Sequence, residues 1–241
     1  MRVSIIGFGD FGRLITKHLV ARADVAVYDR SHNHTQEIEQ LGAQPVDLQE
    51  AAEAEIVILA VTLDALESTL QQIAPHLNPG TLVMDVTSVK ITPVEIMKRL
   101  VPANCQILAT HPLFGPNTAN ESLVGHKIVI DPIRVDDIDS IETFLTDMGL
   151  EIVHMTADEH DREMAWVHAL TFFVGRGLLN INPPKSDLST NYYNELMDVV
   201  DVERTHSLEL FNTIQRGNPY AKEMRQKFIA SLNDLEQKIQ Q

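Results

Sequence analysis

Two side chains in this sequence follow apolar strands at places where chemistry could be done, His111 and Ser88. His111 stands in Ala109-Thr110-His111-Pro112-Leu113-Phe114-Gly115-Pro116, between an apolar strand and a loop stiffened by two prolines and a glycine. Pro112 disfavours helical torsions at the preceding residue, so the imidazole is expected in an extended, defined pose. A neutral imidazole at the carboxyl end of a strand can accept the proton of an alcohol under oxidation. Taken alone, the same residues also read as a histidine in an ordinary turn. Ser88 stands in Asp85-Val86-Thr87-Ser88-Val89-Lys90, after another apolar strand. Its hydroxyl could lie with His111 at the carboxyl ends of the strands, or cap the helix that follows. Lys90 reads as a solvated or phosphate-facing charge.

The elements before these residues decide what they could act on. Arg2 to Ile6 reads as a buried strand, followed by Gly7-Phe8-Gly9-Asp10-Phe11-Gly12, a helix to about Ala21, and a second strand from Asp24 to Tyr28 that closes on Asp29. Each part has a task in binding a dinucleotide. Gly7 permits the tight turn, Gly9 lets pyrophosphate approach the backbone, and Gly12 lets helix and strand pack closely. The helix amino terminus attracts the phosphates. Asp29, 22 residues after Gly7, can accept hydrogen bonds from the adenosine ribose. A carboxylate there repels a 2′-phosphate, which favours NAD over NADP, while the adjacent Arg30 could pair with one. Val61 and Thr62, at the end of the next apolar strand, complete the expected cofactor contacts.

The alternation continues, with strands expected at Glu55 to Val61, Thr81 to Asp85, Gln106 to Ala109, Lys127 to Asp131 and Glu151 to His154. Helices are expected at Asp64 to His76, Ile91 to Leu100 and Val135 to Met148. Strands alternating with helices imply an α/β Rossmann-type doubly wound sheet, mostly parallel, with helices on both faces. Such a sheet gathers its ligands at the carboxyl ends of its strands, where Ser88 and His111 would lie.

After about residue 155 the alternation stops, so a dinucleotide-binding domain over 1–155 and a small all-α domain over 156–241 are expected. Thr156-Ala157-Asp158-Glu159 reads as a capping box that starts a helix to about Ile181. That helix is apolar on nearly every face, with Trp166, Phe172, Phe173, Leu178 and Leu179. About 85 residues are too few to surround it, so a homodimer built on these helices is expected, with Gly175 and Gly177 allowing close contact. Asn182-Pro183-Pro184-Lys185-Ser186 reads as a connector, and a second helix is expected from Ser189 to Gln215. Gly217-Asn218-Pro219 would end it and start a third helix to about Lys238.

Bulk composition excludes several classes. The 241 residues are 44% hydrophobic and 22% charged, enough for a real core. A net charge of −15 argues against a nucleic-acid surface. The single cysteine, Cys105, reads as core, and no cysteine cluster suggests a metal. The sequence opens on a strand rather than a signal segment, and no apolar run reads as long enough to cross a bilayer. A reducing cytoplasm is the expected compartment.

Four of these motifs together resemble the prephenate and arogenate dehydrogenase family of tyrosine biosynthesis. They are Gly7 to Gly12, Asp85 to Lys90, His111-Pro112-Leu113-Phe114-Gly115-Pro116, and Glu159-His160-Asp161-Arg162-Glu163-Met164-Ala165, in family order across about the first 180 residues. The resemblance implies NAD-dependent oxidative decarboxylation of a cyclohexadienol. His111 would take the proton of the ring hydroxyl, with Ser88 beside the hydroxyl and the nicotinamide. The family also carries a second histidine on the first long helical-domain helix, and His168 lies near that place but out of step with it. The family's carboxylate-binding arginine falls at Phe211 or Thr213 here, with Arg204 and Arg216 nearby but out of register. These departures leave two other readings open. One is an oxidoreductase of the same architecture acting on a different small acid, and the other is an NAD-binding homologue without turnover.

Overall fold

The structure is a computed structural model that describes residues 1–240 except 32 and 185, so Lys185 of the expected connector and the final residue, 241, lie outside the described residues. The chain divides into two compact units, residues 1–158 and 159–241.

The first unit is built on eight strands: β1 (Arg2–Ile6), β2 (Asp24–Tyr28), β3 (Gln44–Pro45), β4 (Ile56–Leu59), β5 (Leu82–Asp85), β6 (Gln106–Pro112), β7 (Lys127–Arg134) and β8 (Glu151–His154). They form one sheet in the order β3-β2-β1-β4-β5-β6-β7-β8. Only the β6–β7 pairing is antiparallel. The strand order reverses between β1 and β4, the point where doubly wound sheets bind ligands. The helices of this unit are α1 (Asp10–Leu19), α2 (Thr35–Gln40), α3 (Leu48–Ala52), α4 (Leu63–Ile73), α5 (Ile91–Leu100), α6 (Pro116–Ala119) and α7 (Ile138–Asp147).

Alternation along the strands makes two cores. Leu82, Met84 and Leu108 pack on one face with Leu14 and Leu19 of α1 and Leu145 of α7. Val83, Ile107 and Ala109 pack on the other with Leu66 and Leu70 of α4 and Met97 of α5. Val57, Leu59, Val83 and Ile107 are wholly buried, and each contributes about 1.5–3 kcal/mol. On the α1–α7 face an apolar cavity of about 170 Å³ remains, with Thr110 and Pro112 in its wall. Successive strand residues face opposite ways, so His111 turns to the α5 face.

The sequence expectations at His111 and Ser88 are corrected. His111 lies within β6 and not in a loop after it, opposite Val129, because the antiparallel partner β7 carries the ladder on to Pro112. The helix after Thr81 to Asp85 is not capped by Ser88, since its N-cap is Lys90 and no side chain caps it. The short elements α2, α3, α6 and β3 had no counterpart in the sequence reading.

The second unit is helical. Its first helix is α8 (Ala157–Met164), which continues through a π-helical segment, Ala165–Leu170, into α9 (Thr171–Ile181). Asn182, left-handed at φ 49°, ends it. Within Ala157–Ile181, a run of 25 helical residues, an 18-residue window reaches a mean hydropathy of 1.2, enough to cross a membrane by length and composition alone. By length and composition the expectation of no bilayer-length run does not hold, although the core helices of soluble proteins are as apolar. Then come α10 (Asn191–Thr205), α11 (Leu208–Gly217) and α12 (Ala221–Ile239). One helix was expected from Ser189 to Gln215. It breaks at His206 and Ser207, where the Ser207 hydroxyl accepts from Leu210 N at 3.1 Å and caps a new helix. Asn218 does not start α12 but bridges to it, accepting from Tyr220 N at 2.9 Å while its amide donates to Asp161 O at 2.7 Å. An added Cβ at Gly175 would meet Val199 and Glu203 at 3.3 Å, so that glycine admits α10 of the same chain.

Candidate active site

The glycine turn follows from what a side chain would strike. An added Cβ at Gly7 (φ +106°) would lie 2.4 Å from Ala60 O, and at Gly12 it would lie 2.1 Å from Gly7 O. Both glycines are therefore required by the packing of β1, α1 and β4. Gly9 differs, because a Cβ there meets nothing within 4 Å. It is the N-cap of α1, and no side chain caps that helix. The chain is thus open at Gly9, where α1 begins, as the approach of a pyrophosphate to a helix amino terminus requires. The residues present fit a dinucleotide.

Asp29 follows β2 directly. Its carboxylate accepts from Ser31 N at 3.2 Å and from the Ser31 hydroxyl, with His34 Nε2 at 3.9 Å. Burial pushes the Asp29 carboxyl up. The Ser31 bonds, a bond from the Phe8 backbone and the His34 charge outweigh this and hold it below the usual carboxylate range. Arg30 is exposed, as are Asp10 and Thr62, while Phe11 and Val61 are half-buried and Phe8 is in the core. The sequence reading missed a cluster beside Asp29. Arg13, directly after the third glycine, lies over the Phe8 ring at 5.0 Å. It donates to Glu37 Oε1 at 2.8 Å and lies 3.1 Å from His34 Nδ1.

The junction of β5 and β6 holds the other half of the site. Asp85 ends β5 wholly buried, and Lys90 is 1% exposed. Lys90 was expected as a solvated or phosphate-facing charge; instead its Nζ donates to the Asp85 carboxylate and to Thr110 O at 2.5 Å. Asp85 Oδ2 also accepts from Thr87 N at 3.1 Å and from the Thr87 hydroxyl at 2.5 Å. The residues 85–90 are thereby drawn into a closed loop that presents half-buried Ser88, next to the strand that carries buried His111. One imidazole and one hydroxyl at adjacent strand ends can share a substrate hydroxyl, the first as proton acceptor.

In the second unit, His168 lies in the π segment, a helix irregularity that often marks function. Its ring meets Phe172 edge-on at 4.4 Å, and Phe172 stacks on His206 at 4.4 Å. The Nδ1 atom of His168 is shut off from solvent. Burial, then the charges of His206 and His160, push its pKa down to about 4, so it is neutral near pH 7. Arg204 pairs with Asp201 at 3.2 Å on an exposed face, and Arg216 is exposed at the end of α11. The arginine beside these rings is Arg176, unremarked in the sequence. It pairs with buried Glu203 at 2.7 Å and lies 5.2 Å over the ring of Phe211, where the resemblance placed an arginine. No local pattern signals a cation supplied from a different helix.

A family model described as "Prephenate dehydrogenase, nucleotide-binding domain" matches residues 11–154. This chain belongs to the prephenate dehydrogenase family. A second model, "TYRAAT1-like, C-terminal domain", matches residues 178–241. Arogenate dehydrogenase 2, chloroplastic, of Arabidopsis thaliana is 29% identical over 99% of this chain and 70% of its own length. The probable arogenate/prephenate dehydrogenase of Methanocaldococcus jannaschii is 27% identical over 98% of this chain, which spans 56% of that relative. The crystal structure of prephenate dehydrogenase from A. aeolicus, in complex with hydroxyphenyl propionate and NAD+, aligns with a TM-score of 0.80 at 18% identity. It covers 99% of this chain and 90% of that one, and the likeness shows the shared fold. The nucleotide-binding fold of the family is thus the first unit, with the glycine turn at its switch point.

Proposed function

We propose that this chain is an NAD-dependent dehydrogenase that oxidatively decarboxylates prephenate or arogenate. The observation that carries the reading is the β5–β6 junction, which sets Ser88 and His111 at adjacent strand ends in a member of this family. NAD held by Gly7 to Gly12 and Asp29 would accept the hydride from the hydroxyl-bearing ring carbon. His111 takes the hydroxyl proton as that carbon is oxidised, and Ser88 orients the same hydroxyl. The ring carboxylate then leaves as carbon dioxide, its bonding pair completes the aromatic ring, and the ring oxygen regains a proton. Extended backbone at His111 and its pairing to β7 hold the imidazole in place. Within the second unit, His168 and Arg176 are the candidate ligand-binding side chains, with the Arg176 charge shared by Glu203. The test is turnover of both substrates with both cofactors, followed by nicotinamide reduction and carbon dioxide release. Turnover of at least one with NAD is expected. Tight NAD binding with turnover of neither would overturn the reading in favour of a non-catalytic homologue.

Cofactor preference belongs to the same proposal. The anionic Asp29 repels a 2′-phosphate, so NAD should bind more tightly than NADP. Asp29→Ser should narrow or reverse that preference, because Arg13, Arg30 and His34 remain to attract the phosphate. Equal affinity of the unmodified chain for both cofactors, by calorimetry, would sink this idea.

We infer further that the chain is a homodimer through its helical unit. Trp166, Val167 and Ile181 on the first long helix are more than half exposed, and the buried core of that unit is small. Exposed apolar surface of this kind is stabilised at about 25 cal/mol per Å² by a partner. With Gly175 taken by α10, Gly177 is the glycine left open to a second copy. A monomer by light scattering at micromolar concentration would count against the dimer. The proposed compartment is the cytoplasm, supported by Cys105, a buried free thiol.

A further inference from the structure

The parallel ladder between β5 and β6 ends at the pair Asp85–Ala109. One residue further, at Thr110, side chains take over from the backbone. Thr110 N donates to Asp85 Oδ1 at 3.3 Å and its hydroxyl donates to Asp85 O at 2.6 Å. Thr110 O accepts from Lys90 Nζ at 2.5 Å. Thr110 is the residue before His111. Lys90 Nζ is also 3.3 Å from Thr87 Oγ1, in the loop that presents Ser88. One buried cation therefore touches both the strand of the histidine and the loop of the serine.

We propose that Lys90 is a positioning residue, which with Asp85 sets the separation of Ser88 and His111 by clamping the carbonyl of Thr110. This rests on the reading of Ser88 and His111 as reacting residues. A structural role alone is a poor account of the pair, because a buried ion pair adds little stability over well-packed apolar side chains. What it supplies here is a directional link across a gap where the ladder has stopped. Removing the ammonium leaves the Thr110 carbonyl without this donor and loosens the loop against β6, where the Asp85–Thr110 bonds alone remain of the links described. A displacement of the order of 1 Å at a reacting group costs roughly 100-fold in rate.

The test uses the full chain with Lys90→Met and the double variant Asp85→Leu/Lys90→Met. The double variant removes both charges and remains informative if the single variant does not fold. Three readouts are taken: kcat and KM for the substrate turned over, NAD affinity by calorimetry, and hydrogen exchange of the Thr110 and His111 amides. The expected result is a kcat lower by roughly 100-fold with NAD affinity within twofold, and faster exchange at those two amides. Lys90→Arg, which keeps a cation and a donor, should recover part of the loss. Folded variants with unchanged kcat and unchanged exchange would overturn the proposal. If the unmodified chain turns over neither substrate, the enzymatic reading fails on its own, and the exchange measurement alone decides whether Lys90 holds the strand end.

Discussion

Replacing His111 with Asn is expected to lower kcat by roughly 10²–10⁴, the usual range for a general base, while NAD affinity stays within twofold. The asparagine retains a polar side chain of similar reach but cannot take the hydroxyl proton. The strand should persist, because β6 is held by its backbone pairing to β7 and by the grip on Thr110. Ser88→Ala should cost less, since it removes one hydrogen bond and leaves the proton acceptor in place. The measurement is steady-state turnover beside calorimetric NAD binding for each variant. An unimpaired His111→Asn would place the proton acceptor elsewhere and undo the central assignment.

The second large effect is expected in the glycine turn, where two replacements should separate folding from binding. At Gly12 an added Cβ would lie 2.1 Å from the carbonyl oxygen of Gly7, a backbone atom that cannot swing aside. Gly12→Ala should therefore destabilise the chain by about 1–3 kcal/mol without any cofactor and weaken NAD binding as the turn is displaced. At Gly9 the same Cβ meets nothing within 4 Å, so Gly9→Ala should change stability by less than about 1 kcal/mol. It should still weaken NAD at least tenfold, because the methyl occupies the approach to the first-turn amides. Urea unfolding of the cofactor-free variants and NAD titration check both halves. Equal stability losses at Gly9 and Gly12 would mean the turn is shaped by packing alone.

Much of this was legible in the residues. β1, β2, β8 and α5 run over the residues that the sequence pattern marked, because each is a full apolar period closed by a clear stop signal. The two-residue β3 and the short α2, α3 and α6 were not legible, since β3 is a single strand repeat and helices of four to six residues hold fewer than two turns. The break at His206 and Ser207 was missed for the opposite reason. Apolar residues continue on both sides of it at helical spacing, and only the Ser207 cap marks the new start.

By itself the sequence determined the alternating α/β order, the glycine turn with Asp29 behind it, the strand that leads to His111 and the change to helices near residue 155. These follow from neighbours in the chain: periodicity, glycine and proline torsions, and caps. Tertiary structure decided which charges are paired and where. Lys90 reads as a solvated or phosphate-facing charge until β5 and β6 lie side by side and bury it against Asp85 and Thr110. Arg176 is one residue among many on an apolar helix until α10 brings Glu203 against it. A buried charge needs its partner at hydrogen-bond range, and these partners come from other strands or helices, 20 residues away for Thr110 and 27 for Glu203. Local pattern carries no information about contacts at such separations, so only the folded chain could show them.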